Sequence, residues 1–279
     1  KIAALLIVLE IALTCAIVCN ALFLIGERLD RMNKPSGIAE NELVRIQAAS
    51  LRQLSGDDDL TKSVTREYLD VLRKVPGVRQ AAFANQIPFG GSSNNSGVQL
   101  TPEQQHSSLN ATVYMDEGSL LQTFGLRLVS GRGFNADDYQ DLAVLEKAGD
   151  KAQIPVAIIN RGMAEKLFPG ENAVGKLFYS WTEAPTRVIG VVEELARPNG
   201  VGDGPYAMIF PLRNYDPGQH YILRTEPGRR AEVLKAAVAA LKKADPNLLV
   251  GNQDSSAEIR AHYFENDRAM AWMLVVVIL

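Results

Sequence analysis

Residues 170–176 (GENAVGK) match the first seven positions of a phosphate-binding loop, in which backbone N–H groups cradle phosphates and a lysine neutralises them. Such a loop ends in Ser or Thr, which holds magnesium, and it joins a strand to a helix. Here Leu177 stands in that place, a helical pattern precedes it and a strand pattern follows. The segment is therefore expected to be a turn. Residues 200–204 (GVGDG) run into Pro205, with no helix on which a pyrophosphate could rest. His106, His220 and His262 are far apart in the chain and stand alone. Asp57, Asp58 and Asp59 lack the ligand spacing and distal Glu of a calcium loop. No Gly-x-Ser-x-Gly elbow occurs. No residue is assigned a catalytic, cofactor-binding or metal-ligating role, and the chain is not expected to be an enzyme.

The one ionisable residue with a functional signal is Glu10. It lies within 2–25 (IAALLIVLEIALTCAIVCNALFLI), an apolar run that as a helix reaches about 36 Å, enough to cross a hydrocarbon core of ~30 Å. An acid there costs at least ~2.5 kcal/mol, so it should face neighbouring spans or a dimer seam, or reach the headgroups near a leaflet boundary. A secretory signal would have a shorter apolar core and a small-residue cleavage site. This run instead continues into the charged, helix-compatible 26–31 (GERLDR), which favours a retained anchor. Lys1 is the sole charge ahead of it, so charge asymmetry leaves the topology open. A second apolar run closes the sequence at 269–279 (AMAWMLVVVIL), as expected of a piece that starts at one span and ends inside the next.

Between the two runs lies a polar region large enough for one sizeable domain or two subdomains sharing a core. Lys plus Arg (29) nearly balances Asp plus Glu (32), so no strong field favours nucleic acid or an acidic membrane surface. Both cysteines, Cys15 and Cys19, fall in the first run, and an oxidising compartment would tolerate that arrangement.

Two strand–helix–strand units bracket this region. The first is 42–49, a helix over 61–74 with Val64, Tyr68, Leu69, Leu72 and Val75 at helical spacing, and 78–86. The second is 219–225, an Ala-rich helix over 229–243, and 248–252. Both have ferredoxin-like character. The stretch between them is expected to start with a flexible connection at 89–95. Strands follow at 111–116, 154–159, 177–181 and 186–193, with short helices at 118–124 and 161–168. Residues 137–153 are expected to be a loop or a poorly ordered insertion.

The order of phrases in that stretch resembles the extracytoplasmic core domain of MacB-like and FtsX-like ABC transporter permeases. A strand at 113–116 leads to 124–134 (FGLRLVSGRGF), then to 156–169 (VAIINRGMAEKLFP), the Gly-Lys turn at 173–176 and the apolar strand 187–192 (RVIGVV). The residues carrying the resemblance are Phe124, Gly125, Gly131, Arg132, Phe134, Asn160, Ala164, Phe168, Pro169, Gly175, Lys176 and Gly190. It implies an α+β fold anchored in the bacterial inner membrane, with the soluble part in the periplasm. The expected parts are a membrane helix over 1–26, a membrane-proximal ferredoxin-like, porter-type subdomain from 27–88 and 206–254, an inserted β-rich subdomain over 89–205, and a stalk leading to a second membrane helix over 255–279. It implies a permease with four spans working as a homo- or heterodimer, and a periplasmic adaptor or other periplasmic protein as partner. ATP and Mg would be held by an associated or fused ATPase, and hydrolysis would drive efflux, lipoprotein handling or mechanotransmission. The alternative is a membrane-anchored periplasmic sensor that binds a small ligand; an anchored enzyme ranks third.

Overall fold

A computed structural model describes residues 2–55, 58–200 and 204–278. The chain forms two units, residues 1–35 with 261–279, and residues 36–260. The first contains α1 (Ile2–Asn33) and α8 (Glu265–Ile278). Its apolar sequence has no proline before Pro35, so α1 passes through Gly26 without a break and extends beyond the expected span limit at residue 26. Among the described residues α1 is the only helix long and apolar enough to cross a membrane. Its large apolar side chains face outward along most of its length, as a lipid-facing surface requires. Near its polar end Arg28 and Arg31, spaced to share a face, donate to opposite oxygens of Asp267 in α8 at 2.7 and 2.6 Å.

In the second unit, β1 (Leu43–Ser50), α2 (Asp58–Arg73) and β2 (Val78–Ala84) form the first strand–helix–strand unit. Between β2 and its returning partner lie β3 (Asn95–Val98), β4 (Leu109–Met115), α3 (Leu120–Phe124), β5 (Leu128–Gly131), β6 (Gln140–Asp141), α4 (Leu142–Ala148), β7 (Val156–Asn160), α5 (Arg161–Leu167), β8 (Leu177–Ser180), β9 (Thr182–Val192), β10 (Ala207–Phe210) and β11 (Leu212–Arg213). The chain then returns as β12 (His220–Thr225), α6 (Arg230–Ala244), β13 (Leu248–Ser255) and α7 (Ser256–Tyr263).

The two flanking units interlock in one sheet of order β13-β1-β12-β2, with every neighbouring pair antiparallel. Each unit's own strands are thus separated by one strand of the other, the arrangement of a ferredoxin-like split βαβ pair. Val64, Tyr68, Leu69 and Leu72 of α2 and Val233, Ala237 and Leu241 of α6 pack with Val44, Ile46, Phe83, Tyr221 and Leu223 of the strands. Within this layer Asp245 is buried and accepts from the hydroxyls of Ser50 (2.6 Å) and Tyr68 (2.5 Å) and from the Asn247 N–H. Those donors hold its carboxyl below the usual range, while burial and the same bond push the Tyr68 phenol up to about 12.

The inserted stretch forms a second sheet of order β3-β4-β10-β7-β9-β5, with β8 hairpinned onto β9. Three expectations are corrected here. The β-rich part does not end at residue 205, because β10 pairs parallel with β4 and antiparallel with β7 in the middle of its sheet. Residues 137–153 are not a plain loop: they hold a 3₁₀ turn at Ala136–Asp138, β6 paired with β11, and α4 with Leu145 buried in the core. The connection at 89–95 is tied down, since the N–H of Phe89 donates to Arg197 O (3.5 Å) and that of Gly91 to Pro198 O (3.0 Å). Asp57 and residues 201–203 lie outside the described residues.

Candidate functional site

The motif residues gather around β5, β9 and β7. Phe124 is buried at the end of α3, packed edge-on against Tyr114, and Gly125 takes the left-handed conformation that closes this helix. Gly131 lies directly opposite Gly190 in the β5–β9 ladder. Gly131 has φ +74°, and a Cβ there would sit 2.1 Å from Ile189 O; one on Gly190 would sit 2.4 Å from Arg132 O. The next residue, Arg132, grips Asp138 through both guanidinium nitrogens (2.6 and 3.3 Å), and this pair holds the Asp138 carboxyl below its ordinary range. Phe134 packs edge-on against Tyr139, whose hydroxyl donates to Asp116 at 3.3 Å. The motif thus folds back as a closed corner.

Asn160 caps α5 and also reaches β10. Its Oδ1 accepts from the N–H of Met163 and of Ala207, both at 3.1 Å, and its Nδ2 donates to Pro205 O at 2.5 Å. Ala164 accepts the Phe168 N–H, Phe168 is buried beneath it, and Pro169 is exposed where α5 has ended. Gly175 and Lys176 form a turn stitched to β9 by Gly175 N–H to Val188 O (2.8 Å) and Val188 N–H to Lys176 O (2.9 Å). The lysine ammonium pairs with Glu171 at 2.5 Å on an exposed surface. Helix before, strand after and a lysine engaged by its own loop give a structural turn. Glu10 is exposed on α1, far from this cluster in sequence, and its carbonyl accepts the Thr14 hydroxyl at 2.8 Å.

Sequence reasoning passed over the joint between the two sheets. Asn85 and Gln86, just past β2, bond to the backbone of β4: Asn85 donates to Val113 O (2.9 Å) and accepts from Met115 N–H (3.0 Å), and Gln86 donates to Val113 O (2.8 Å). Asp116, fully buried at the end of β4, caps α3 by accepting from the N–H groups of Gly118 (2.7 Å) and Leu120 (3.0 Å). Glu117 accepts from the Phe83 N–H in β2 at 3.0 Å. Burial pushes both carboxyls above the usual range, against the backbone donors that favour the charged form. Adjacent acids at a strand end followed by Gly118-Ser119 are the signal that could have exposed this joint. On β12, opposite Ala84 in the ladder, burial and the nearby Arg45 hold His220 down at about 4. Among the described residues no group of three or more His, Cys, Asp or Glu is placed to hold a metal ion.

Residues 4–241 match the family described as MacB-like periplasmic core domain. Among solved structures, the extracellular domain of the noncanonic ABC-type transporter YknZ from Gram-positive bacteria is similar at 18% identity and a TM-score of 0.44, over 75% of this chain and 100% of that one. The periplasmic region of MacB from Actinobacillus actinomycetemcomitans is similar at 17% identity and a TM-score of 0.46, over 84% of this chain and 97% of that one. No curated protein matches. A match that begins inside α1, takes in the whole second sheet and ends inside α6, short of β13, covers most of the molecule, and the chain belongs to the family of MacB-like periplasmic core domains of ABC transporter permeases.

Proposed function

We propose that this chain is part of a permease subunit of the MacB/FtsX type. It is anchored in the inner membrane by α1, with residues 36–260 in the periplasm. An associated or fused ATPase holds ATP and Mg, and hydrolysis there moves the membrane helices of a homo- or heterodimer. The periplasmic domain passes that motion to a substrate or to a periplasmic partner, as efflux, lipoprotein handling or mechanotransmission. The observation that supports this reading best is the family match, which joins an apolar helix and a folded outer domain in one stretch. The clamp of Arg28 and Arg31 on Asp267 adds to it, because it ties α1 to α8 and would let the two helices move together.

The test is reconstitution of the protein in lipid nanodiscs with its ATPase. Hydrolysis should change when residues 36–260 are deleted. Absence of any ATPase association, with every nucleotide state tried, would defeat the proposal.

A further inference from the structure

The motif of residues 124–134 lines a surface groove of about 540 Å³, shared with the start of β2 and the end of β12. Its two walls differ in chemistry. On one, Leu121 of α3, Leu126 and Leu128 of β5 keep part of their apolar surface exposed. On the other stand Arg79 of β2 and Arg224 of β12. Both arginines lean on a single oxygen of Glu42, Arg224 through Nε at 2.7 Å and Arg79 through Nη1 at 3.5 Å. One carboxylate against two guanidiniums leaves that wall with a surplus of positive charge. The Arg79 side chain is 51% exposed, and its long contact to Glu42 is its single hydrogen bond among the described residues, so most of its donors are uncommitted. Two glycines shape the groove. Gly125 lets Arg224 close in, since a Cβ there would lie 3.1 Å from its Nη1; at Gly133 a Cβ would meet nothing nearer than Leu121 Cδ1 at 4.0 Å, which leaves the floor open.

This pairing of walls narrows the occupant. A cation is repelled by the arginines, and a small inorganic anion would use them but leave the leucines in water. An acyl chain would find apolar contact without enclosure, Leu128 being 38% exposed. The backbone adds a third element, because β2 is an edge strand of its sheet. Glu117 and Ser119 take its outward Phe83 N–H and Ala81 O, but among the described residues no side chain caps the strand ahead of Ala81. An open strand start beside one apolar and one cationic wall suits an extended polypeptide. Its main chain can add to the edge, its alternate side chains can reach the leucines, and an acid can pair with the guanidiniums.

We propose that this groove receives an extended segment of a partner protein in which aspartate or glutamate alternates with aliphatic residues. The acid pairs with Arg79 and Arg224, and the aliphatic side chains cover Leu121, Leu126 and Leu128. Gly125 and Gly133 then shape a binding surface, whereas Gly131 and Gly190 serve packing. The inference rests on the proposed function only for the compartment in which the partner is met. Peptide binding is read without an ATPase, so its failure leaves ATPase coupling standing, and the reverse.

The test is fluorescence polarisation on the full chain in phosphatidylcholine nanodiscs, whose zwitterionic lipid favours neither sign of charge. The probes are pools of labelled, end-capped pentapeptides in which Leu, Ile or Val alternates with Asp or Glu, with Asn or Gln, or with Lys or Arg. Octanoate, followed by calorimetry, is the acyl-chain control. The expected result is saturable binding of the acidic pool, about tenfold tighter than that of the neutral pool and weakened about tenfold in Arg79→Gln. Gly133→Leu, which fills the open floor, should abolish it, and both variants should melt within a degree or two of the parent protein. Equal binding of the neutral pool, preference for the basic pool, binding of octanoate alone, no binding of any pool at millimolar concentration, or unchanged affinity in Arg79→Gln would each overturn the proposal.

Discussion

Gly131 and Gly190 face each other across the β5–β9 ladder, and each is blocked by a carbonyl oxygen beside its partner. Gly170 offers a control, because it has nearly the same φ (+75°) and a Cβ added there would meet nothing within 4 Å. Gly170→Ala should therefore cost only the left-handed backbone, about 1 kcal/mol. Gly131→Ala should cost that plus the collision with Ile189 O, upwards of about 3 kcal/mol. Thermal unfolding of the two variants would separate strain from clash. Equal shifts in Tm would show that the ladder yields easily.

Asp267 is the shared acceptor of two arginines, with its side chain only 7% exposed and those of Arg28 and Arg31 at 22% and 55%. Removing one partner of a fully buried pair costs about 3–5 kcal/mol; here the exposed side of the pair lowers the expectation to about 2 kcal/mol for Asp267→Asn. A crosslink between cysteines placed on α1 and α8 away from positions 28, 31 and 267 should form more slowly in that variant if the clamp sets the pairing of α1 with α8. Unchanged crosslinking would assign the pairing to apolar packing instead.

His220 makes a pH-dependent contribution whose sign is fixed. Its folded-state value lies at about 4, below the 6.5 of a free histidine. Its stabilisation is complete above pH 6.5 and is lost as pH falls towards 4, where the unfolded chain takes up the proton first, an effect of about 3 kcal/mol at most. His220→Gln should flatten the fall in Tm between pH 7 and 4.5. Asp116 works in the opposite sense: its raised value favours the fold at low pH and loses that advantage as pH rises. Asp116→Asn should accordingly steepen the acid side.

Lys176 pairs with Glu171 at the surface, and exposed pairs contribute about 0–1 kcal/mol. Lys176→Ala should change Tm by no more than a degree or two and leave equilibrium dialysis of this chain against ATP unaltered. A loss of nucleotide binding in that variant would restore the phosphate-loop reading.

Much of the architecture was legible in local pattern. The apolar run of α1 forms one long helix with its large side chains exposed, while the helical spacing of Val64, Tyr68, Leu69 and Leu72 and the apolar strands of the second sheet carry patterns that match their burial. What was illegible is non-local. Nothing along the chain says that β12 should lie between β1 and β2, since that depends on pairing across more than a hundred residues. The short run of β10 carries no mark of which sheet it joins. The polar stretch holding α4 hides its core contacts, the buried Leu145 and the half-buried Leu142, among charged residues. The joint was least visible of all, because the buried Gln86 and Asp116 and the half-buried Asn85 are polar side chains held by hydrogen bonds rather than by apolar area, and polarity in a sequence signals loop.

The insertion leaves the first sheet at Ala84 and returns at His220, and these two residues are direct partners in the β2–β12 ladder. Seen from that sheet, everything between them is an enlarged hairpin turn, closed at its base across the ~5 Å that separates paired strands. A short turn of ordinary hairpin chemistry could take its place without disturbing the register of the four strands. The inserted lobe can therefore be exchanged, lengthened or removed as a cassette while the four-stranded layer keeps its fold.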